Sequence, residues 1–165
     1  MAWPKLPSRP LLLAVFTVGL HRSVDPTRYG WLGPALMLVS CAGIMLVAFF
    51  PWYRDGDVMV ESAGHVAGAV LTFVGAGAGL IAFSRRMLAD PRWRDLAAYV
   101  LVTGITMVIM FVVLGAFAIE EGAPLHPFVG VLQRLLVGEW FVCLVVLAQR
   151  MRRGSFSDPR NRGLP

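Results

Sequence analysis

Residues 96–119, LAAYVLVTGITMVIMFVVLGAFAI, run for twenty-four positions without a charged side chain. A helix needs about 18 or more consecutive apolar residues to cross a hydrocarbon layer about 30 Å thick, and this run supplies them. Three other segments read the same way. Residues 31–53 carry Tyr29 and Trp31 at one end and Trp52 and Tyr53 at the other. At 1.5 Å per residue these aromatic belts fall about 30 Å apart, the spacing of the two interfaces of a bilayer. Residues 62–83 and 127–148 complete the set, the last of them holding Gln133, Arg134 and Glu139. Composition agrees: 57% of the chain is hydrophobic and 15% charged, where a soluble domain carries about a quarter charged residues. No strand alternation is present, and a barrel needs many more strands than this length allows.

The expected fold is therefore all-α, a polytopic transmembrane helix bundle with four full spans and a partial one at the N-terminus. The partial segment is 11–20, LLLAVFTVGL, too short to cross alone and of a length that suits an interfacial helix or a signal-peptide core. Lys5 and Arg9 precede it, but His21-Arg22-Ser23 offers no clean small-residue cleavage site. A partial helix is the reading preferred. Residues 1–153 form one transmembrane domain. The tail 154–165 lacks apolar periodicity and is expected to be disordered and solvated.

Charge sets the orientation. Arg22 and Arg28, then Arg85, Arg86, Arg92 and Arg94, then Arg150, Arg152, Arg153, Arg160 and Arg162 fall on one side, eleven in all, against Arg54 alone on the other. The positive-inside rule places that side, with the C-terminus, in the cytoplasm of a bacterial inner membrane. These arginines flank the apolar runs and form no basic face, so the net charge of +5 points to the lipid bilayer as partner and not to nucleic acid. Cys41 and Cys143 lie inside apolar runs, where cysteine behaves as a small buried hydrophobe. No disulfide framework or zinc motif is present.

The second full span carries a glycine ridge. Gly64, Gly68, Gly75 and Gly79 fall within a narrow stripe at 100° per residue, where another helix can come close. Packing within the chain is the plain reading; a homo- or hetero-oligomer seam is the sharper one. Gly104 and Gly115 are nearly in register on the next span, and Pro34 sits in the first turn of its helix, where the missing donor matters little.

Two polar groupings stand out. Glu139 falls near the membrane midplane, where a charge costs about 2.5–3.5 kcal/mol even on the lenient insertion scale, so it must be neutral, paired or in contact with water. Ser40, Thr72 and Thr106 lie at similar depth, and the four could form one polar layer serving as a proton or substrate relay, or as neutral packing contacts between helices. At the outer end Asp55, Asp57, Glu61, His65, Glu120, His126 and Arg134 make a candidate outward-facing cluster, with an ordinary charged rim as the alternative. Arg134 could snorkel to lipid phosphates or pair with Glu61, Glu120 or Glu121. The two histidines come from different loops, and no metal or cofactor is expected.

Several short motifs, taken in order, carry a resemblance. They are Phe50-Pro51 followed by an acidic loop with Asp55 and Asp57; Gly64-His65; Arg85-Arg86; Trp93-Arg94 leading to Tyr99; and Gly130-Val-Leu-Gln133-Arg134 with Trp140. Over about residues 11–153 the chain resembles the DUF998 family (domain of unknown function 998), bacterial multi-pass membrane proteins typically of six helices. The resemblance implies a helical membrane fold and topology but no mechanism. By that comparison the family's first helix is absent, and residues 11–20 correspond to a remnant of its second.

The leading functional expectation is a non-enzymatic membrane protein, transport-like or accessory, with a polar site opening outward. The alternative is a membrane-embedded enzyme acting on lipid through His65 and the acidic outer loop. No nucleophile, metal motif or cofactor signature accompanies it.

Overall fold

The structure, a computed structural model, describes residues 8–25, 30–51, 53–55, 58–60, 62–120 and 122–156. Five helices form in chain order: α1 (Ser8–Ser23), α2 (Leu32–Phe49), α3 (Ala63–Ala89), α4 (Arg94–Phe117) and α5 (Val129–Phe156). A short antiparallel hairpin, β1 (Tyr53–Asp55) and β2 (Val58–Val60), separates α2 from α3. The 3-10 turn His126–Phe128 leads into α5.

Local chemistry sets these ends. Phe50 leaves helical geometry at ψ 70° because the following Pro51 disfavours the helical conformation in its predecessor. Asp90 stops α3 in extended conformation for the same reason, ahead of Pro91. Ser62 starts α3 as an N-cap, its hydroxyl accepting from the His65 amide at 3.2 Å, which satisfies one of the helix's orphan donors. Gly122, at φ 88°, turns the chain between α4 and α5 in a region that residues with a Cβ rarely enter.

The four long helices match the four expected spans by length and hydropathy. Two are longer than the sequence suggested. α3 continues to Ala89, and α5 runs on through Phe156 into the segment expected to be a disordered tail; the remainder of that tail lies outside the described residues. The segment after α2, read as an acidic loop, contains the hairpin.

Helices pack in the order α1–α2–α3–α4–α5, and α1 closes the ring by touching both α2 and α5. Its inner face is apolar: Leu13 and Leu20 from α1, Met37 from α2, Ala76, Leu80 and Phe83 from α3, Val100 and Met107 from α4, and Leu136 and Leu147 from α5 are all buried. The outer surface is also apolar. Val102, Ile109 and Val112 on α4 and Phe141, Val142 and Val145 on α5 are each more than half exposed. A helix apolar all round is what a lipid solvent selects. Between residues 130 and 142 of α5, only Leu136 and Trp140 are buried.

The glycine ridge lies against α2 of the same chain. A Cβ on Gly68 would meet the Val47 nitrogen at 2.8 Å, one on Gly75 the Leu36 carbonyl at 3.2 Å, and one on Gly79 the Met37 side chain at 2.9 Å. On Gly64 it would collide with the Phe50 ring. The ridge is filled by α2 and Phe50, which corrects the expectation that it could serve as an oligomer seam. The opposite face of α3 uses Gly77, where a Cβ would lie 2.8 Å from the carbonyl of Gly104 on α4. A Cβ on Gly115, in register with Gly104, would meet nothing within 4 Å among the described residues.

Candidate functional site

At the hairpin end of the bundle, polar side chains satisfy helix ends. The last carbonyls of a helix have no intrahelical donor. The Phe50 carbonyl, just past α2, accepts from Ser62 Oγ at 3.3 Å and from His65 Nδ1 at 3.0 Å. The Ala118 carbonyl, just past α4, accepts from His126 Nδ1 at 3.1 Å. The two histidines thus tie different helix ends. Glu120 and Arg134 are both exposed, and among the described residues neither forms an ion pair. The Arg134 Nη1 atom lies 3.9 Å from where a Gly130 Cβ would sit, so its guanidinium runs back toward the start of α5, the direction of snorkelling. The backbone of Asp55 is in β1, while Asp57 and Glu61 lie outside the described residues.

The four residues expected at mid-depth divide between two seams. Ser40 is fully buried between α2 and α3, beside Gly75, and its hydroxyl has no partner among the described residues. Thr72 faces Gly43 of α2 and donates to Gly68 O of its own helix at 2.8 Å. Thr106 donates to Val102 O of its own helix at 2.9 Å. Glu139, half-buried, belongs to the α4–α5 seam. There Thr103 of α4 interacts with both Tyr99 and Cys143, and the Glu139 carboxyl lies within electrostatic range of both. Next to it on α5 the buried Trp140 indole N–H has no partner among the described residues. Its ring packs edge-on against Phe73 at 6.4 Å, and Phe73 stacks on Phe111 at 5.4 Å.

The opposite end gathers the arginines and holds the most extensive polar arrangement in the described residues. The Arg86 side chain is 5% exposed. Its guanidinium wraps the end of α1: Nε donates to Asp25 O at 2.7 Å, Nη2 to His21 O at 2.9 Å and to Val24 O, and Nη1 to Gly30 O at 3.3 Å. Nη1 also lies 2.7 Å from His21 Nδ1. Trp93 adds a sixth contact to this chain segment, its indole donating to Ser23 O at 3.0 Å.

Beside Arg86, the Asp90 carboxylate is 1% exposed. It accepts from the Asp25 amide at 3.0 Å and the Arg92 amide at 2.9 Å. Arg92 bridges Asp90 at 3.3 Å and Asp25 at 2.8 Å. Burial pushes the Asp90 carboxyl up, but the two amides and the Arg92 guanidinium outweigh it and hold the group below the usual carboxylate range. Hydrogen bonding and charge from Asp90 hold Arg92 above its ordinary value. Arg150 of α5 joins the same end through Asp95 at 3.0 Å and Arg92 O at 2.6 Å.

From sequence, Arg86 and Arg92 read as orientation signals, Arg86 and Trp93 also as parts of the family motifs, and Asp25 and Asp90 carried no role. A positional signal for Arg86 exists. It follows Gly75 by eleven residues and Gly79 by seven, which places it on the ridge facing α2, away from lipid.

A family model described as Protein of unknown function (DUF998) matches residues 11–150. No curated protein and no solved structure matches the chain.

Proposed function

This chain belongs to the DUF998 family of proteins of unknown function, and from that premise we propose a transport-like, non-enzymatic protein of a bacterial inner membrane. It is a multi-pass membrane protein, with four helices long and apolar enough to span. The eleven-to-one distribution of basic residues between the loops of the two sides, the tail included, supports a cytoplasmic C-terminus.

The observation that carries the reading is the neighbourhood of Glu139. Ten positions into α5, it lies about 15 Å from the helix start, near mid-membrane. A carboxylate at that depth is tolerated when neutral, paired or hydrated. Within its electrostatic range are a phenol and a thiol, both interacting with Thr103, groups that can pass or hold a proton but do not neutralise a carboxylate. Tyr99 is about 8 Å from the start of α4, so the row Tyr99–Thr103–Glu139 leads inward from the arginine-rich end. This direction differs from the outward opening expected from the sequence. In this reading Glu139 binds and releases a proton, and the row is its access.

The test is proton flux. Protein reconstituted in liposomes with a trapped pH-sensitive dye should speed the dye's response to an external acid step. Glu139→Gln, folded by circular dichroism, should reduce the response to that of empty liposomes. Wild-type protein no faster than empty liposomes would sink the reading.

A further inference from the structure

We propose that His21 and Arg86 form a proton-operated latch, in which protonation of His21 releases the end of α1 from α3. This rests on residues separate from Glu139 and stands whether or not that carboxyl conducts protons.

The argument begins with donor count. A guanidinium has only donors, so the 2.7 Å contact between Arg86 Nη1 and His21 Nδ1 requires Nδ1 to accept. That fixes His21 as the neutral tautomer with its proton on Nε2. Imidazolium carries N–H on both nitrogens and cannot accept. Protonation would replace the hydrogen bond by two cations in contact. Histidine is the side chain that makes this change in the physiological pH range.

The surroundings do not cancel the repulsion locally. From α3 the facing charge is Arg86 itself. The α1–α2 connection supplies Asp25, whose carboxylate is engaged by Arg92 at 2.8 Å, and the α3–α4 turn supplies Asp90, held by Arg92 and by two amides. α1 adds Arg22, α5 reaches the group through Arg150 on Arg92 O, and α2 has no charged residue. Asp25 and Asp90 are thus already committed to Arg92, and Asp95 to Arg150.

The consequence follows from placement. α1 is the helix that closes the ring between α2 and α5, and Arg86 binds its terminal carbonyls with one side chain. Loosening that grip frees α1 to move and opens the side of the bundle between α2 and α5. The Asp90 contacts depend on a carboxylate held below the usual range and do not involve the His21 ring.

A disulfide between α1 and α5 reports the motion. Met151 Sδ lies 3.9 Å from where a Gly19 Cβ would be, so Gly19→Cys with Met151→Cys puts one thiol on each of two helices that touch there. Bridge yield under a fixed oxidant pulse would be measured by mass spectrometry from about pH 8 to about pH 5, in three backgrounds: His21, His21→Asn and His21→Arg. Asn presents a carbonyl acceptor near the Nδ1 position at every pH and corrects for the intrinsic pH dependence of thiol oxidation. Relative to the Asn background, the His21 background should match it at pH 8 and fall several-fold at pH 5, while the Arg background stays low throughout. Equal yields in the His and Asn backgrounds at every pH would overturn the latch. So would a low yield in the Asn background at pH 8, since an acceptor alone would then not hold α1.

Discussion

A Cβ placed on Gly43 of α2 would lie 2.5 Å from the backbone nitrogen of Thr72 on α3, and one on Gly68 of α3 would lie 2.9 Å from the carbonyl of Gly43. Each glycine is therefore required by the other's backbone, and neither helix can move away without opening the seam that buries Met37 and Leu80. Overpacking a close-packed interior costs about 1–3 kcal/mol, and more where the obstacle is backbone. Gly43→Ala, Gly68→Leu and Gly75→Leu should each lower the melting temperature in detergent by several degrees. Gly115→Ala, where a Cβ would meet nothing within 4 Å among the described residues, should leave it unchanged or raise it slightly through helix propensity. Equal effects at Gly43 and Gly115 would contradict the packing.

Asp90 gives the structure an acid-sensitive contact. Its carboxyl is held below the usual range despite burial, by two amides and Arg92. A group with a lowered folded pKa contributes fully above its unfolded value, about 3.9 for aspartate, and loses that contribution as pH falls through the folded value. Hydrogen bonds to a charged group are worth about 1.5–3 kcal/mol. Asp90→Asn should therefore melt lower than wild type at neutral pH, and the gap should close as the buffer is taken below about pH 4. A gap that stays constant across that range would show the carboxylate charge to be irrelevant.

The proposed orientation is open to reporter fusions. Fusions after Arg94 and after Arg153 should read as cytoplasmic and one near Asp57 as external, because the basic loops retain their side of the membrane. A periplasmic signal from the fusion at Arg153 would invert the whole arrangement, including the side from which His21 and Tyr99 are reached.

The spans were legible because lipid imposes length and hydropathy on each helix separately, so 96–119 could be read without knowing its neighbours. The ridge at Gly64, Gly68, Gly75 and Gly79 was legible as a face, since helical register alone puts those residues together. Which helix fills a face is a tertiary fact, and only the structure assigns it to α2. The arginine-rich end was the least legible part. His21, Asp25, Arg86 and Asp90 meet across more than sixty residues of chain, and no local period links them. A run of arginines there satisfies the positive-inside rule whether or not one of them is buried, and the general signal concealed the specific one. The mid-depth hydroxyls mislead in another way: Thr72 and Thr106 are satisfied by the carbonyl four residues back, so equal depth does not imply mutual contact.

Two buried donors that have no partner among the described residues should be dispensable. Ser40 Oγ is sealed between α2 and α3, and Trp140 Nε1 lies in the aromatic group with Phe73. An unsatisfied buried polar group costs about 1–3 kcal/mol, so its removal by a substitution of similar shape is neutral or stabilising. Ser40→Ala should hold or raise the melting temperature, and Trp140→Phe should do so to the extent that the smaller ring keeps the edge-on contact. A loss of several degrees in Ser40→Ala would mean that the hydroxyl has a partner in the membrane.

Glu139 separates a working carboxyl from an incidental one. Among the described residues no cation faces it; within its electrostatic range are Tyr99 and Cys143, both interacting with Thr103. If it rests neutral, Glu139→Gln preserves size and polarity and should express, fold and melt like wild type. Glu139→Leu removes a polar group from lipid depth, where its transfer is unfavourable, and should fold at least as stably. Both variants should then share one defect, the loss of proton flux. The comparison is informative because the competing states give different patterns. An ionised and paired Glu139 would make the Gln variant unstable, since the partner cation would be left uncompensated, a loss of about 3–5 kcal/mol for a buried pair. A packing contact would make the Leu variant unstable while sparing Gln. A carboxyl of no consequence would leave stability and flux unchanged in both. Stability retained and flux lost in both is the one pattern that the proton-binding role produces.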